Sequence, residues 1–423
     1  MPLQPRWSFS ILRHHAAWLA IAALAILAGC AAVPPATTST ALPPGTKWLD
    51  AWGTSFLPTT INGQPREVPT FANQTIRETV YTKLGGSSVR VKFSNKFQSD
   101  PLIIGSAHIA LRSGPGSILP SSDHPLTFDG AATAIIAAGE ELWSDPVALA
   151  VPQHTDVSVS IFISKAQKPT AVHFTGLHTV YLSAPGDFTS AETMRAAAAP
   201  LIGAPSTMVF FISDLQVTAP VRTKVIVALG DSITDGTNST TDANTNWPDQ
   251  LSARLPALPD GTPVSVLNMG IGSNRLVTAD AAGRSGVHRL DDDVFARPNV
   301  THLIVLEGIN DISGEHPKPE QLIAAYQEII NRAHAKGIKV FGATLLPIQK
   351  SYKDTPENEA TREDVNIWIR TSGAFDAVFD FDKAVADPAN PLIIRDDLTT
   401  DHVHPNSAGY RLMAEAIDLK LFE

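Results

Sequence analysis

The chain has 423 residues, 43% of them hydrophobic and 17% charged, a globular composition unlike that of disordered, collagenous or polytopic membrane chains. Lys and Arg number 32 against 42 Asp and Glu, for a net charge of −10; no basic block stands out, which argues against nucleic-acid partners. The single cysteine, Cys30, excludes an intramolecular disulfide, a zinc ribbon and an iron–sulfur site on ligand count.

Residues 1–30 read as an export signal. Arg6 and Arg13 make a basic start, and Ala16 to Ala28 is an uncharged apolar run, too short for the roughly 20 apolar residues of a spanning helix. It ends in Leu27-Ala28-Gly29-Cys30. This resembles a bacterial lipobox, in which the cysteine thiol takes a lipid and becomes the new N-terminus. Cleavage before Cys30 removes two cations and no acid, leaving a net charge of −12. Ala31 follows, with no Asp to signal inner-membrane retention, so the resemblance to Gram-negative lipoproteins implies an envelope lipoprotein of the outer membrane. Membrane contact is then expected only through the anchor on Cys30. Residues 31–47, rich in Pro, Thr and Ala, read as an extended tether.

Residues 48–220 read as β. Val80, Thr82 and Leu84 alternate with polar neighbours, Gly85-Gly86-Ser87-Ser88 signals a turn, and Val89, Val91 and Phe93 resume the alternation, which predicts a hairpin. Val157, Val159, Ile161 and Ile163 repeat with period two, and Met208 to Val217 is a last apolar run. A β-sandwich of jelly-roll type is expected. Ala196–Ala199, just before Pro200, reads as loop. Trp48, Trp52 and Trp143 are candidates for stacking on sugar rings, with core packing as the competing role.

From residue 221 to 423 the texture changes to alternating strands and helices. Apolar runs at Lys224–Leu229, Val264–Met269, His302–Glu307, Lys339–Leu345 and Ala377–Phe381 predict five strands of a parallel sheet covered on both faces. A helix is expected from Pro319, burying Leu322, Ile323, Tyr326, Ile329, Ile330 and Ala333 and stopped by Gly337. Another is expected from about Asn406 to Leu421.

In an open parallel sheet functional groups gather at the carboxyl ends of strands. Gly230-Asp231-Ser232 follows the first strand directly; Ser232 there either caps a helix or faces the crevice beside a helix N-terminus, where an anion is stabilised. Asn268-Met269-Gly270-Ile271-Gly272-Ser273-Asn274 follows the second, as a Gly-rich turn or as a loop exposing N–H donors. Gly308-Ile309-Asn310-Asp311 follows the third, as an Asx turn or as a side-chain amide donating into the crevice. Asp401-His402-Val403-His404-Pro405 precedes the last helix. Asp401 can hold one ring nitrogen of His404 and leave the other free as a base. Asp401, His402 and His404 are also possible metal ligands.

These four clusters, in this order, resemble the sequence blocks of the SGNH/GDSL hydrolases, over roughly residues 224–421. The phrases NQTIRETVYTKLGG and VRVKFSN are similar to the β-rich region preceding the hydrolase in one bacterial branch. The resemblance implies a flavodoxin-like three-layer α/β/α domain with a five-stranded parallel sheet behind the β-sandwich. It implies Ser232 as nucleophile, His404 as base, and Asp401 as its orienting acid. The backbone N–H groups of Ser232 and of Ser273 or Gly272, with the Asn310 side chain, would form the oxyanion hole. One departure stands out: the family has Gly where this chain has Ser273, which keeps the N–H but is strained if φ is positive.

The expected function is hydrolysis of carboxylic esters through an acyl-enzyme, on short-chain acyl or aryl esters, with O-acetyl groups of carbohydrates as further candidates. Substrates would be small molecules or glycans, with no metal and no cofactor required. Two alternatives come from other classes: a non-catalytic glycan-binding lipoprotein, and a metal-dependent hydrolase using Asp401, His402 and His404. An α/β-hydrolase is disfavoured by the lack of a Gly-x-Ser-x-Gly elbow.

Overall fold

A computed structural model describes residues 42–61, 64–195, 207–278 and 284–423. Cys30, most of the expected tether and Ala196–Ala199 lie outside the described residues. Residues 42–423 form one compact unit around two hydrophobic cores, the first drawn from residues 49–219 and the second from residues 225–422.

The first core lies between two antiparallel sheets. Their main strands are β1 (Thr46–Gly53), β2 (Gln74–Thr82), β3 (Val89–Ser94), β4 (Ser106–Gly114), β5 (His124–Leu126), β6 (Glu141–Trp143), β7 (Thr155–Ile163), β8 (Tyr181–Pro185) and β9 (Ile212–Pro220). One sheet has the order β1–β9–β3–β6, the other β5–β4–β7–β2–β8. Leu49, Val91, Phe93, Leu215 and Val217 of the first face Ile76, Val80, Ile109, Val159 and Ile161 of the second in one core. Alternation at period two drives this arrangement, since every second side chain points inward.

Two readings of this region are corrected. β1 begins at Thr46, which pairs with Pro220, so Thr46 and Lys47 belong to the sheet and not to the tether. The hairpin expected across Gly85–Ser88 does not form: β2 pairs with β7 and β8, whereas β3 pairs with β9 and β6. The chain there crosses between sheets, with Gly86 bonded to Val151. Alternation shows which face is buried and leaves the partner strand open. Among the candidates for sugar stacking, Trp48 and Trp143 are covered by the Arg90 guanidinium, 4.8 Å from one ring and 4.4 Å from the other, which favours packing over sugar stacking. Trp52 packs against the core.

The second core surrounds five parallel strands: β10 (Lys224–Gly230), β11 (Val264–Gly270), β12 (Val300–Leu306), β13 (Lys339–Ala343) and β14 (Ala377–Phe379), in the order β11–β10–β12–β13–β14. This is the doubly wound order whose direction reverses between the first and third strands, opening a crevice at the carboxyl ends of β10 and β12. The helices are α1 (Ser232–Asp235), α2 (Trp247–Arg254), α3 (Ile309–Gly314), α4 (Pro319–His334), α5 (Pro356–Thr371), α6 (Phe381–Val385) and α7 (Ser407–Glu415). α4 has Pro at its first turn, buries Leu322, Tyr326, Ile329, Ile330 and Ala333, and is followed by Gly337 at φ 73°. Ile323 lies at the margin of that face, half-buried. α7 is shorter than expected: it ends at Glu415, and a separate turn spans Leu419–Phe422.

The edge strand β11 is covered by the sandwich, which removes an open row of backbone groups. Ser265 Oγ donates to the carbonyl of Asp50 at 2.8 Å. Much of this junction is ionic. Arg297 bonds Asp214 and lies 3.2 Å from Asp50. Lys83 lies 2.7 Å from Asp249 of α2, with both side chains buried. Burial pushes the Asp214 carboxyl up, but Arg297 and Lys92 outweigh it and hold the group at about 2. Removing the cation from such a site leaves buried charge uncompensated. Arg297→Leu is therefore expected to cost about 3–5 kcal/mol, read as a lower urea midpoint of unfolding.

Candidate active site

The crevice at the sheet's carboxyl edge collects all four sequence clusters. Gly230 and Gly270 end β10 and β11 because α1 packs directly on them. A Cβ at Gly230 would meet Thr234 Oγ1 at 2.1 Å, and one at Gly270 would meet the Asp235 nitrogen at 2.1 Å. Asp231 is the N-cap of α1, its carboxylate accepting from Ile233 N–H at 2.9 Å. The capping role considered for Ser232 thus falls to its neighbour, and Ser232 is left to face the cleft.

Ser232 Oγ lies 2.8 Å from His404 Nε2, across 172 positions of chain. His404 Nδ1 lies 2.7 Å from Asp401 Oδ2. The other oxygen of Asp401 accepts from the backbone N–H of His404 at 2.8 Å and of Val403 at 3.0 Å. Partial burial raises the Asp401 carboxyl, but the His404 side chain and these two backbone donors dominate and hold it at about 2. It therefore stays an anion, able to fix the ring's tautomer and stabilise an imidazolium.

The turn carrying these residues is fixed by α7. Asn406 caps that helix through Ala408 and Gly409 N–H. Tyr410 donates to the Thr237 carbonyl at 2.7 Å, joining α7 to the segment after α1. His402 points elsewhere, 3.8 Å from Asp396. Both ring nitrogens of His404 are engaged, and among the described residues no three His, Cys, Asp or Glu are grouped to hold a metal ion. The metal-ligand reading of Asp401, His402 and His404 is thus at odds with how these side chains lie.

Gly272, Ser273 and Asn310 line the same cleft as Ser232 and His404. Ser273 has φ 63°, so the position does take the left-handed conformation, at a cost of about 1 kcal/mol for a residue with a Cβ. Gly272 has no such φ, and a Cβ on it would meet nothing closer than 3.9 Å. Position 273 is therefore the one with the conformation that favours glycine. Asn310 makes no local Asx turn. Its amide nitrogen donates to the Asn274 carbonyl at 2.9 Å, and its oxygen accepts from Lys353 Nζ at 2.9 Å.

Sequence reasoning missed two groups here. Lys353 carries no motif. Arg289, fully buried, donates to the carbonyls of Gly230 (2.8 Å) and Met269 (2.6 Å) and to Asn274 Oδ1 (2.8 Å). It also pairs with Asp293 at 2.9 Å and Glu307 at 3.4 Å. An isolated arginine in a loop gives no periodic signal. The sandwich supplies the opposite wall: Leu57, Arg66, His173, Phe174 and Thr175 complete a cleft of about 260 Å³. Arg66 lies over the Phe174 ring at 4.8 Å, and His173 Nε2 is 3.0 Å from Asp235 Oδ1 of α1.

Residues 228–412 match the model of the GDSL-like Lipase/Acylhydrolase family. This GDSL-like segment contains Ser232, Gly272, Ser273, Asn310, Asp401 and His404. No protein of curated function matches the chain. Among solved structures, the chain is similar to a protein described as lipolytic and of the G-D-S-L family from Desulfitobacterium hafniense, at 23% identity and TM-score 0.37, over 46% of this chain and 97% of that one. It is also similar to a carbohydrate acetylesterase family member from Sinorhizobium meliloti, at 16% identity and TM-score 0.38, over 46% and 94%. A mutant of an acetyl-xylooligosaccharide esterase from Geobacillus Stearmophilus matches at 19% identity and TM-score 0.36, over 46% and 91%.

Burial sets the charge state beneath the GDSL-like serine turn. Desolvation pushes the Asp231 carboxyl up to about 7, against the opposing pull of Ile233 N–H, Lys353 and Arg289. The folded chain holds this proton where the unfolded chain, with a carboxyl near 3.9, has released it. The stability it contributes is full below about pH 4 and lost as pH rises through about 7. Asp231→Asn keeps an acceptor for Ile233 and removes the charge. The variant is expected to melt higher than the wild type at pH 8, with the advantage shrinking by pH 5, in calorimetry at both values.

Proposed function

We propose that the protein is a carboxylic ester hydrolase working through Ser232, His404 and Asp401. The observation that carries this reading is the continuous hydrogen-bond chain Ser232–His404–Asp401, with bonds of 2.8 and 2.7 Å, at the mouth of the cleft; the match of residues 228–412 to the GDSL-like acylhydrolase model supports it.

A serine hydroxyl is a weak nucleophile, so its proton must leave as it attacks. Nε2 of His404 takes that proton and later returns it to the leaving alkoxide, while Asp401 stabilises the imidazolium. The ester oxygen becomes negative in the transition state. Backbone N–H groups of Ser232 and Ser273 and the Asn310 amide are the donors assigned to it, each such donor being worth about 3–4 kcal/mol of barrier. Ser273 takes this role in preference to Gly272, because position 273 has the left-handed turn where the family carries glycine. Water then releases the acyl group from Ser232.

The cleft suits small esters with an acetyl or other short acyl group, and acetylated carbohydrates are the natural candidates on its open side, where Tyr352 is 75% exposed. Ser232→Ala is expected to abolish hydrolysis of p-nitrophenyl acetate and labelling by a fluorophosphonate while leaving the circular dichroism spectrum unchanged. Retention of wild-type turnover by the purified variant overturns the assignment. A panel of esters from acetyl to palmitoyl, with acetylated xylan, defines the substrate.

The same proposal includes export and anchoring through a lipid on Cys30. The described residues contain no helix long and apolar enough to cross a membrane. Cys30→Ser is expected to move the protein from the membrane fraction to the soluble fraction of the envelope, read by fractionation and immunoblot.

A further inference from the structure

We infer that Lys353 is a positioning residue for ester hydrolysis: its ammonium locks the Asn310 side chain in the one amide orientation that can donate to the developing oxyanion. The inference rests on the role proposed for Asn310 and adds to it a residue outside the four sequence blocks.

Lys353 lies between β13 and α5, and only 4% of it is exposed. Its Nζ reaches Asn310 Oδ1 at 2.9 Å and Ser313 Oγ at 2.7 Å. Both partners are neutral and both belong to α3. A buried ammonium held by neutral oxygens is unfavourable for stability alone, since desolvation is only partly offset. No carboxylate lies within ion-pair distance of it among the described residues; Asp231 and Arg275 are the charged groups that act on it at longer range.

The chemistry of the contact gives it direction. An ammonium has three donors and no acceptor, whereas a carboxamide has an acceptor at one end and two donors at the other. Lys353 can therefore face only the oxygen of Asn310. The nitrogen is turned to the opposite side, where one hydrogen goes to the Asn274 carbonyl at 2.9 Å. The second hydrogen remains for the cleft that Asn310 lines together with Ser232 and Ser273. A rotation of the amide by half a turn would put an oxygen at the Asn274 carbonyl and toward the reacting ester, where it would repel the charge that develops. The cation also polarises the amide, making its N–H groups stronger donors. The backbone of Lys353 is itself fixed, its carbonyl accepting from Asn358 Nδ2 at 2.8 Å.

The test is a double-mutant cycle on p-nitrophenyl acetate with Lys353→Met, Asn310→Ala and the pair. Asn310→Ala is expected to lower kcat at least 100-fold with little change in KM. Lys353→Met is expected to lower kcat about 10- to 100-fold, again with KM nearly unchanged. In the Asn310→Ala background the same lysine change is expected to cost less than about threefold, because its target is gone. Lys353→Arg, which keeps a cationic donor, is expected to recover part of kcat. Should Lys353→Met fail to fold, the cycle is run with Lys353→Gln, for which the same non-additivity is expected. Full multiplication of the two effects, or wild-type kcat in the lysine variant, overturns the role of Lys353 while leaving the esterase reading intact. Wild-type kcat in Asn310→Ala overturns the oxyanion assignment on which it rests.

Discussion

The geometry of the cleft depends on one buried guanidinium. At a switch point the ends of parallel strands diverge. Arg289 joins them: it bonds the carbonyls of Gly230 at the end of β10 and of Met269 near the end of β11, the Asn274 side chain of the loop that follows β11, and the Glu307 carboxyl that follows β12. Ser232, Ser273 and Asn310 each emerge from one of these three tied ends. Burial presses the Glu307 carboxyl well up, with Asp231 and Asp311 adding to the effect and Arg289 opposing it. The brace thus satisfies acceptors that water cannot reach, and it fixes the spacing of three groups contributed by three separate connections.

A second set of constraints comes from the sandwich. It caps the edge of β11, closes one wall of the cleft through Arg66, His173, Phe174 and Thr175, and is joined to the sheet by buried ion pairs as well as by apolar contact. Ion pairs in a dry junction demand close geometry and penalise partial separation. The cleft wall is therefore held at a fixed distance from the serine turn.

Much of this is legible in the sequence, for a physical reason. A parallel strand covered on both faces must be a continuous apolar run, and polar residues directly after it must lie at the sheet's end. That logic places Ser232, Asn310 and the 268–274 loop together without coordinates. Asp401 and His404 are three apart, so their contact follows from a single turn. What was not legible depends on pairing between distant segments. The alternation around Gly85–Ser88 looks the same whether the strands join each other or two opposed sheets. Trp48 and Trp143 read equally as sugar platforms or as packed rings until Arg90 is seen against both. Lys353 and Arg289 are single charges in irregular segments, and nothing in their neighbours along the chain indicates that they are buried.

The two hydrogen bonds through the imidazole are built differently. Asp401 and His404 share one short turn, and the carboxylate holds the backbone of that turn as well as the ring. Ser232 belongs to another element, brought near through the Tyr410–Thr237 contact and the packing of α7. Loosening of α7 would carry the Asp401–His404 pair away intact, its internal bond unchanged, while the span to the Ser232 hydroxyl opened. Heat or mild denaturant would then break the Ser232–His404 bond before the His404–Asp401 bond.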